Sequence, residues 1–395
     1  MDSPARARSR TSFDSFWSCS SGSARSRVEP PGVARFIARP AGQSLYALGV
    51  ASASTGSTAR ERNLLEAARS GDEVAYRSLV EPYGAELRAH CYRMLGSIDD
   101  ADDALQEALL RAWRGLPRFA GRRLLRPWLY KIATNACLDV IGRRPKRVHP
   151  LDAGPPAGPD VDAPQGPRRE SSWVEPYPDQ RMGVEDGYAS PEARYEQREA
   201  VELAFIAALQ HLPARQRAAL ILRDVLGFTA AEVADALEST SASVNSALQR
   251  ARKAVRERLP ERSQQATLRS LGDARLRDIV QRYIDAWERG DVEAIIALLA
   301  EDATIAMPPW ATWWRGREVI AGFVRRDGGD EWRLVPTRAS GQLAAAAYRW
   351  DAEKRSYVPD TLEVLALEGA RVKHITAFAI PEIFHHFGLP DELAS

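Results

Sequence analysis

Cysteine is scarce in this 395-residue sequence, and the three present, Cys19, Cys91 and Cys137, are scattered and form no CxxC pair. This spacing excludes a zinc-ribbon site and a disulfide framework, so the thiols are expected to be buried or incidental in a reducing cytoplasm. Long apolar runs are also lacking, and none approaches the roughly 20 residues that a membrane span requires. The sequence therefore indicates a cytoplasmic protein, for which neither a metal nor another cofactor is expected.

The formal net charge of +1 conceals a strong local segregation of charge. The length predicts two or three domains. Residues 1–59 are rich in Ser, Ala and Arg and have little apolar periodicity. They are expected to be a disordered N-terminal extension, with an upstream mis-start or a transit peptide as alternatives.

Residues 60–148 form the first patterned block, in which apolar residues at helical spacing predict three helices before Leu116. Acidic residues crowd the start of the third helix with no base among them, and they are Asp99, Asp100, Asp102, Asp103 and Glu107. Acids in a first turn stabilise a helix, so this cluster is consistent with capping. With Gln106 and Arg111 on the polar face, it equally fits a docking surface for a basic partner.

The charge then inverts, since eleven Lys or Arg residues lie between Arg111 and Pro150 against one acid, Asp139. Aromatic side chains lie among these bases, namely Trp113, Phe119, Trp128 and Tyr130. Basic side chains with interleaved aromatics favour a nucleic-acid backbone with stacked bases. Trp113 taken alone is expected to pack in the core.

A further helix is predicted over residues 127–141, with Pro127 at a permitted position in the first turn. Its more exposed side carries Trp128, Lys131, Asn135 and Arg143. An Asn on such a surface can hydrogen-bond a base edge, but the residues alone leave the role of Asn135 open.

Residues 149–190 are full of Pro, Gly and Asp and are predicted to be a linker. The stretch "WVEPYPD" is an exception, because Trp173 and Tyr177 are costly to leave in water. These two side chains are expected to anchor the linker locally, against this protein or a partner.

Residues 191–262 show the helix-turn-helix pattern, in which a short helix and a tight turn precede a longer helix with a polar front. Thr229 and Glu232 have capping-box spacing at the start of the short helix. In the last helix, predicted over 241–256, Val244, Leu248, Ala251 and Val255 form the core side. The opposite side carries Ala242, Ser243, Asn245, Ser246, Gln249, Arg250, Arg252 and Lys253, and no acid occurs from Ser239 to Arg256. An ordinary surface helix would mix both charges, so this face favours DNA.

The two blocks together resemble an extracytoplasmic-function sigma factor, a promoter-specificity subunit of bacterial RNA polymerase. "DDADDALQEALLRAWRGL" and "RPWLYKIATNACLDVIGRR" resemble the family's second region, and "LPARQRAALILRDVLGFTAAEVADALESTSASVNSALQRAR" resembles its fourth. The resemblance implies two all-α domains, sigma region 2 and a helix-turn-helix sigma region 4, and core polymerase as a partner through its clamp helices and flap.

The resemblance also implies residue roles. Polymerase binding would fall to Asp99, Asp102, Asp103, Gln106, Glu107 and Arg111. Recognition of a melted −10 element would fall to Phe119, Arg122, Arg123, Arg126, Trp128, Lys131, Asn135 and Arg143. Recognition of the double-stranded −35 element would fall to Ala242, Ser243, Asn245, Ser246, Gln249, Arg250 and Lys253. Pro127, Arg122 and Arg123 depart from the residue types common in the family, which puts the fine −10 specificity in doubt.

The chain continues beyond the point where a minimal sigma factor would end. Residues 270–395 show helices and then strand-like segments, which indicate an α+β domain of antiparallel strands. "YIDAWERGDVEAIIALLAEDATI" and "WWRGREVIAGF" resemble the SnoaL-like, nuclear-transport-factor-like cone. A pocket in this domain would be lined by Trp310, Trp313, Trp314, Arg338, Tyr348, His374 and Phe378.

Catalysis is not expected of this domain, because a base needs a positioned partner and a shifted pKa and the sequence shows neither. A regulatory role is favoured, with a small-molecule ligand left open, and no anti-sigma partner is indicated or excluded. The leading hypothesis is a sigma factor tuned by its C-terminal domain. The alternative is an autonomous helix-turn-helix regulator with a ligand-sensing or catalytic SnoaL-like domain, which would leave the acidic helix unexplained.

Overall fold

The computed structural model describes residues 55–119, 124–144, 146–152, 154–161, 173–182, 191–327 and 331–394. The chain divides into two compact units. The helical unit contains the described residues of 55–148 and 173–261, and the C-terminal unit contains those of 149–161 and 262–394. The extension predicted over residues 1–59 lies almost entirely outside the described residues.

The first half of the helical unit is a set of helices: α1 (Thr55–Arg69), α2 (Glu73–Val80), α3 (Gly84–Leu95), α4 (Ile98–Gly115) and α5 (Leu125–Ile141). The prediction of three helices before Leu116 is wrong, because the second is divided. Pro82 has no amide hydrogen to donate, and a 3-10 turn at Glu81–Tyr83 separates α2 from α3. The predicted apolar stripe of α4 is buried at Ala101, Ala104, Leu105, Ala108 and Ala112.

The second half comprises α6 (Pro191–Glu199), α7 (Leu203–Gln210), α8 (Ala214–Leu220), α9 (Ala230–Ala236) and α10 (Ser241–Arg256). The predicted capping box starts α9, since the Glu232 amide donates to Thr229 Oγ1 (3.2 Å) and the Thr229 amide donates to Glu232 Oε2 (2.7 Å). Thr240 caps α10 by accepting from the Ser243 amide (3.2 Å). The predicted helix-turn-helix and the limits of its last helix are confirmed.

The C-terminal unit begins with α11 (Gln264–Leu271), α12 (Asp273–Glu288) and α13 (Val292–Leu298). The remaining elements are β1 (Leu299–Ala306), β2 (Trp313–Arg315), α14 (Arg317–Asp327), β3 (Trp332–Ala339), β4 (Gln342–Asp351), β5 (Ser356–Glu368) and β6 (Arg371–Phe378). The strands form one sheet in the order β2-β1-β6-β5-β4-β3. The α+β class is confirmed, but β1 and β2 were not singled out in the sequence, and β1 pairs parallel to β6, contrary to the expected antiparallel run.

The main core of the C-terminal unit lies between the helices and one face of this sheet. Tyr283 and Ile279 of α12 meet Leu343 of β4 and Leu365 of β5 in this core. Among the described residues, no helix combines the length and the apolar character needed to cross a bilayer.

Candidate nucleic-acid and protein-binding surfaces

The outer face of α10 is open. Val244, Leu248, Ala251 and Val255 are buried, as predicted. The side chains predicted to read DNA are all exposed, and they are Ala242, Ser243, Asn245, Ser246, Gln249, Arg250 and Lys253. Apart from a 4.0 Å contact between Lys253 Nζ and Glu257 Oε1, the polar members make no side-chain hydrogen bond or ion pair with another described residue. This face therefore presents hydroxyl, amide and cationic groups to solvent.

Arg252 is not part of that face. Its guanidinium donates from Nε (2.8 Å) and Nη2 (2.6 Å) to the two carboxylate oxygens of Asp224. The Asp224 side chain is only 7 % exposed, and the hydrogen bonds to it raise the pKa of Arg252. Arg252 therefore fixes α10 to the helical segment Ile221–Val225, which follows α8.

The exposed side of α5 is partly engaged by aromatic packing. Phe119 is buried and its ring lies 4.7 Å from that of Trp128. Arg69 of α1 lies over the Phe119 ring at 5.9 Å. Trp113, expected in the core, is half-buried against Tyr76 at 4.9 Å.

Arg126 is held inside the helical unit. Its Nε donates to both oxygens of the Glu86 carboxylate (3.1 and 3.2 Å), and its Nη2 donates to Oε2 (3.0 Å). The guanidinium carbon also lies 4.9 Å from the ring centroids of both Tyr130 and Phe228. Phe228 lies directly before α9, so Arg126 joins α5 to the helix-turn-helix.

Lys131 is also turned towards the helix-turn-helix. Its Nζ donates to the backbone oxygen of Asp235 (3.0 Å) and lies 3.7 Å from the Asp235 carboxylate and 3.8 Å from that of Glu238. By contrast, Asn135 is half-buried and Arg143 is exposed, and neither side chain bonds another described residue. Arg122 and Arg123 lie outside the described residues.

The acidic face of α4 contains both exposed and partly buried side chains. Asp99, Asp103 and Gln106 are exposed. Glu107 accepts from Arg111 Nε (2.7 Å), and Arg111 Nη1 donates to Asp139 of α5 (2.7 Å).

Asp102 is paired on both oxygens. Arg88 Nε donates to Oδ1 (2.6 Å), and Arg181 Nη1 donates to Oδ2 (3.0 Å). Arg88 belongs to α3, whereas Arg181 belongs to the segment predicted as linker.

Two acids, Asp100 of the predicted acidic cluster and Glu175 of the predicted linker, organise the start of α4. Asp100 is 4 % exposed and pairs with Arg144 and, at 2.7 Å, with Arg147. Arg147 Nη1 also donates to Glu175 (3.1 Å). Asp100 lies on the same apolar stripe as Ala104 and Ala108, which are four and eight residues further along α4. An acid on an apolar stripe indicates a buried ion pair, so the sequence could have revealed this role.

The seven candidate pocket residues do not line one pocket. Trp314 lies in the core between helices and sheet, stacked on Phe323 at 4.4 Å. Ile375 and Ala377 also point into that core, so the alternation of a strand turns His374 and Phe378 to the other face. Trp310, Trp313, Arg338 and Tyr348 complete the set.

The placement of these four residues differs as well. Trp313 Nε1 donates to the Gly154 oxygen (2.9 Å), and Tyr348 Oη donates to the Pro390 oxygen (2.9 Å). Trp310 and Arg338 are half-buried in the turn before β2 and on β3. The Nδ1 atom of His374 lies 2.8 Å from Thr304 Oγ1, and burial lowers the pKa of His374. This hydroxyl contact is that of a structural hydrogen bond.

A buried carboxyl of the C-terminal unit was missed in the sequence. Glu363 of β5 accepts from Tyr283 Oη (2.9 Å) inside the core. Burial raises the pKa of Glu363 to about 7, partly opposed by this hydrogen bond. A lone acid in the apolar run "TLEVLAL" is the signal that could have found it.

Three family models match the chain in the order of these elements. They are sigma-70 region 2 over residues 79–147, sigma-70 region 4 over 196–255 and the SnoaL-like domain over 280–376. The fold and the matches define a transcription initiation factor of the sigma-70 class that carries a SnoaL-like domain.

Individual relatives narrow this class. ECF RNA polymerase sigma factor SigG of Mycobacterium tuberculosis is 42% identical over 329 residues, which cover 82% of this chain and 86% of SigG. SigW of Bacillus subtilis is 29% identical over 195 residues, covering 48% of this chain and 92% of SigW. The crystal structure of Mycobacterium tuberculosis SigJ is 21% identical, with a TM-score of 0.48, over 79% of this chain and 100% of SigJ.

The chain belongs to the ECF family of RNA polymerase sigma factors. It is therefore a factor for transcription initiation, and its regions 2 and 4 imply core RNA polymerase and promoter DNA as partners. Sigma factors are not enzymes, although the SnoaL-like fold has some enzyme members.

Proposed function

We propose that this sigma factor reads the −35 element with the outer face of α10. The observation that carries the proposal is the open, acid-free surface from Ser243 to Lys253, whose polar groups have almost no internal partner. Short Ser and Asn side chains allow a helix to lie close to base edges in the major groove. Arg250 and Lys253 suit phosphates, which position the helix on the duplex.

The −10 element is read, in this proposal, by residues 119–144. Asn135 on α5 and Arg143, two residues beyond its end, are available, and Trp128 offers a half-buried aromatic surface for a base. Stacking of a base on an aromatic ring contributes about 1–3 kcal/mol. Lys131 would contribute once its contacts with Asp235 and Glu238 are released.

Polymerase docking falls to the acidic face of α4. Asp99, Asp103 and Gln106 are exposed there, on a helix that the apolar stripe fixes to the rest of the unit. An exposed acidic face attracts a basic partner surface and increases the rate of encounter.

The SnoaL-like domain tunes initiation through the linker that joins the two promoter-reading regions. Within the C-terminal unit, Trp313 Nε1 donates to Gly154, and the Ala157 amide donates to the Trp313 oxygen (2.7 Å). Trp314 Nε1 donates to Val161 (3.3 Å). The domain thus holds the first part of the linker, and a change that breaks these hydrogen bonds would lengthen the chain that is free between regions 2 and 4.

Run-off transcription with core RNA polymerase and this protein tests the proposal. The wild-type chain should direct initiation at defined start sites. The variant Gln249→Ala with Arg250→Ala should lose dependence on the upstream element, and Asn135→Ala should reduce strand opening while duplex binding persists. Truncation after Glu261 should change the transcript yield severalfold.

Arg77→Ala serves as the matched control, because Arg77 is exposed on α2 and is not one of the residues assigned to the proposed surfaces. It removes one positive charge and should leave start-site choice unchanged. If core polymerase neither binds the protein nor changes its start sites, the assignment of the three surfaces fails. An unchanged yield after truncation would remove the tuning role alone.

A further inference from the structure

The segment 173–182, called here the cover segment, folds back on the start of α4. Trp173, Val174 and Tyr177 are at most 4 % exposed, which confirms that Trp173 and Tyr177 anchor the linker, here against this protein itself. The Val174 amide donates to the Val148 oxygen (3.1 Å), and the Glu175 amide donates to the Gly96 oxygen (2.9 Å). Backbone pairing and buried aromatics therefore fix this segment in one position.

A carboxylate of the cover segment completes the N-terminus of α4. The Ile98 amide, at the first position of the helix, donates to Glu175 Oε2 (2.9 Å). A helix N-terminus carries a partial positive charge and unpaired amides, so a carboxylate there is stabilising. Tyr92 Oη donates to the Glu175 backbone oxygen (2.6 Å), and its ring lies 4.5 Å from that of Tyr177.

The end of the cover segment reaches the acidic face itself. Arg181 Nη1 donates to Asp102 Oδ2 (3.0 Å), while Arg88 occupies the other oxygen. Both side chains of the pair are less than one third exposed. A basic partner would therefore compete with Arg88 and Arg181 for the Asp102 carboxylate.

We propose that the cover segment is an intramolecular competitor of core polymerase for the N-terminal end of α4, with Arg181 in the place of a basic side chain of the polymerase. The proposal rests on the assignment of α4 as the docking face. Polymerase binding then releases Arg181 from Asp102, and the free protein is restrained from docking. Asp103 and Gln106, which the segment leaves exposed, make the first contact.

Binding of the fluorescently labelled full-length chain to core RNA polymerase, followed by anisotropy, tests this. Arg181→Ala should raise the affinity about two- to fivefold, the range expected for the release of one partly exposed ion pair. The gain should be in the association rate. Arg77→Ala removes the same charge elsewhere on the helical unit and should change the affinity less than twofold. An unchanged or lower affinity of Arg181→Ala overturns the proposal.

Hydrogen exchange of the wild-type chain provides a second measurement that needs no variant. The amides of Val174 and Glu175 bond to backbone oxygens in the free protein and should exchange at least tenfold faster in the polymerase complex. Equal or slower exchange in the complex shows that the cover segment stays in place and overturns the proposal. The double variant Asp103→Asn with Gln106→Ala distinguishes failure of the docking assignment from failure of the competition. If these changes do not weaken binding, the assignment of α4 as the docking face is wrong. If they weaken it while the exchange stays slow, only the competition fails.

Discussion

The polar side chains of α10 lie on the surface of the helical unit, whereas Glu363 lies in the core of the C-terminal unit. The helical unit presents Ser246, Gln249 and Arg250 outward on one face of α10, with no internal partner among the described residues. The C-terminal unit instead buries Glu363 against Tyr283 in its core. An outward polar face suits a macromolecular partner, whereas a buried and hydrogen-bonded carboxyl suits a structural role unless something reaches it.

This difference explains why the candidate DNA-binding residues of α10 form one surface, whereas the candidate pocket residues of the C-terminal unit do not line one pocket. Side chains three and four apart on a helix share a face whatever surrounds the helix, so α10 forms one surface. The sheet residues meet only as the strand register allows, and β1 and β6 turn Ile305 and Ile375 into the core but Thr304 and His374 away from it. Aromatic residues near one another in sequence, such as Trp313 and Trp314, thereby point to different sides.

The largest expected effect concerns the buried carboxyl. Glu363 keeps its proton up to a pKa of about 7 in the folded chain, whereas the unfolded chain releases it near 4.5. The folded state therefore loses stability as the pH rises from about 4.5 to 7, by up to about 3 kcal/mol. Glu363→Gln retains an acceptor for Tyr283 and should remove this slope, which urea unfolding followed by tryptophan fluorescence at pH 5 and 7 would measure.

The control for this prediction is an exposed acid of the same strand. Glu368→Gln, at the exposed end of β5, should leave the slope of the wild-type chain intact. A wild-type stability that is flat across this range would show that Glu363 is ionised in the core. The C-terminal unit would then hold a charged group in its core, stabilised by the hydrogen bond from Tyr283.

Charge reversal on α10 should have the next largest effect. Arg250→Glu replaces a cation on the open face by an anion that repels phosphates, and a lost base or phosphate contact contributes about 1–3 kcal/mol. Promoter-directed transcription should fall about 10- to 100-fold. The free energy of unfolding should change by less than about 0.5 kcal/mol, because Arg250 is exposed and has no side-chain partner in the part of the chain that the structure describes.

The same reversal in the C-terminal unit tests whether this loss is specific. Arg289→Glu alters an exposed arginine beyond α12 and should change transcription less than twofold. Equal losses from both variants would indicate a nonspecific effect of net charge, and α10 would no longer be distinguished from the rest of the surface.

Substitution of two arginines of α10 should separate an effect on stability from an effect on DNA binding. Arg252→Ala leaves the nearly buried Asp224 carboxylate without its partner and should lower the free energy of unfolding by about 2 kcal/mol. Arg250→Ala on the same helix should lower it by less than about 0.5 kcal/mol. Chemical denaturation of both variants measures the difference, and equal stabilities would place Arg252 on the DNA-binding face after all.

The sequence predicts the helix-turn-helix well because its signals are local. Thr229 and Glu232 are three residues apart, and the limits of α10 follow from Thr240 and the apolar spacing of Val244 and Leu248. For residues 111–147 it predicts only the excess of positive charge, because the ion-pair partners of side chains such as Arg147 and Lys131 come from elsewhere in the chain. Arg147 meets Glu175 28 residues away and Lys131 meets Asp235 104 residues away, and no local periodicity encodes such pairings.

The smallest expected effect concerns these distant contacts on α5. Asp235→Asn with Glu238→Gln weakens the hold of α9 on Lys131 but keeps the hydrogen bond to the Asp235 backbone oxygen. Ion pairs at this exposure contribute up to about 0.5 kcal/mol each, so promoter opening, measured with a fluorescent base at −10, should increase about two- to fivefold. Glu73→Gln with Glu81→Gln, both exposed and away from α5, makes the same change in charge and should have no effect. A decrease in opening would mean that α9 positions Lys131 for the melted strand. The exposed side of α5 would then already have its DNA-binding arrangement in the free protein, as the face of α10 does.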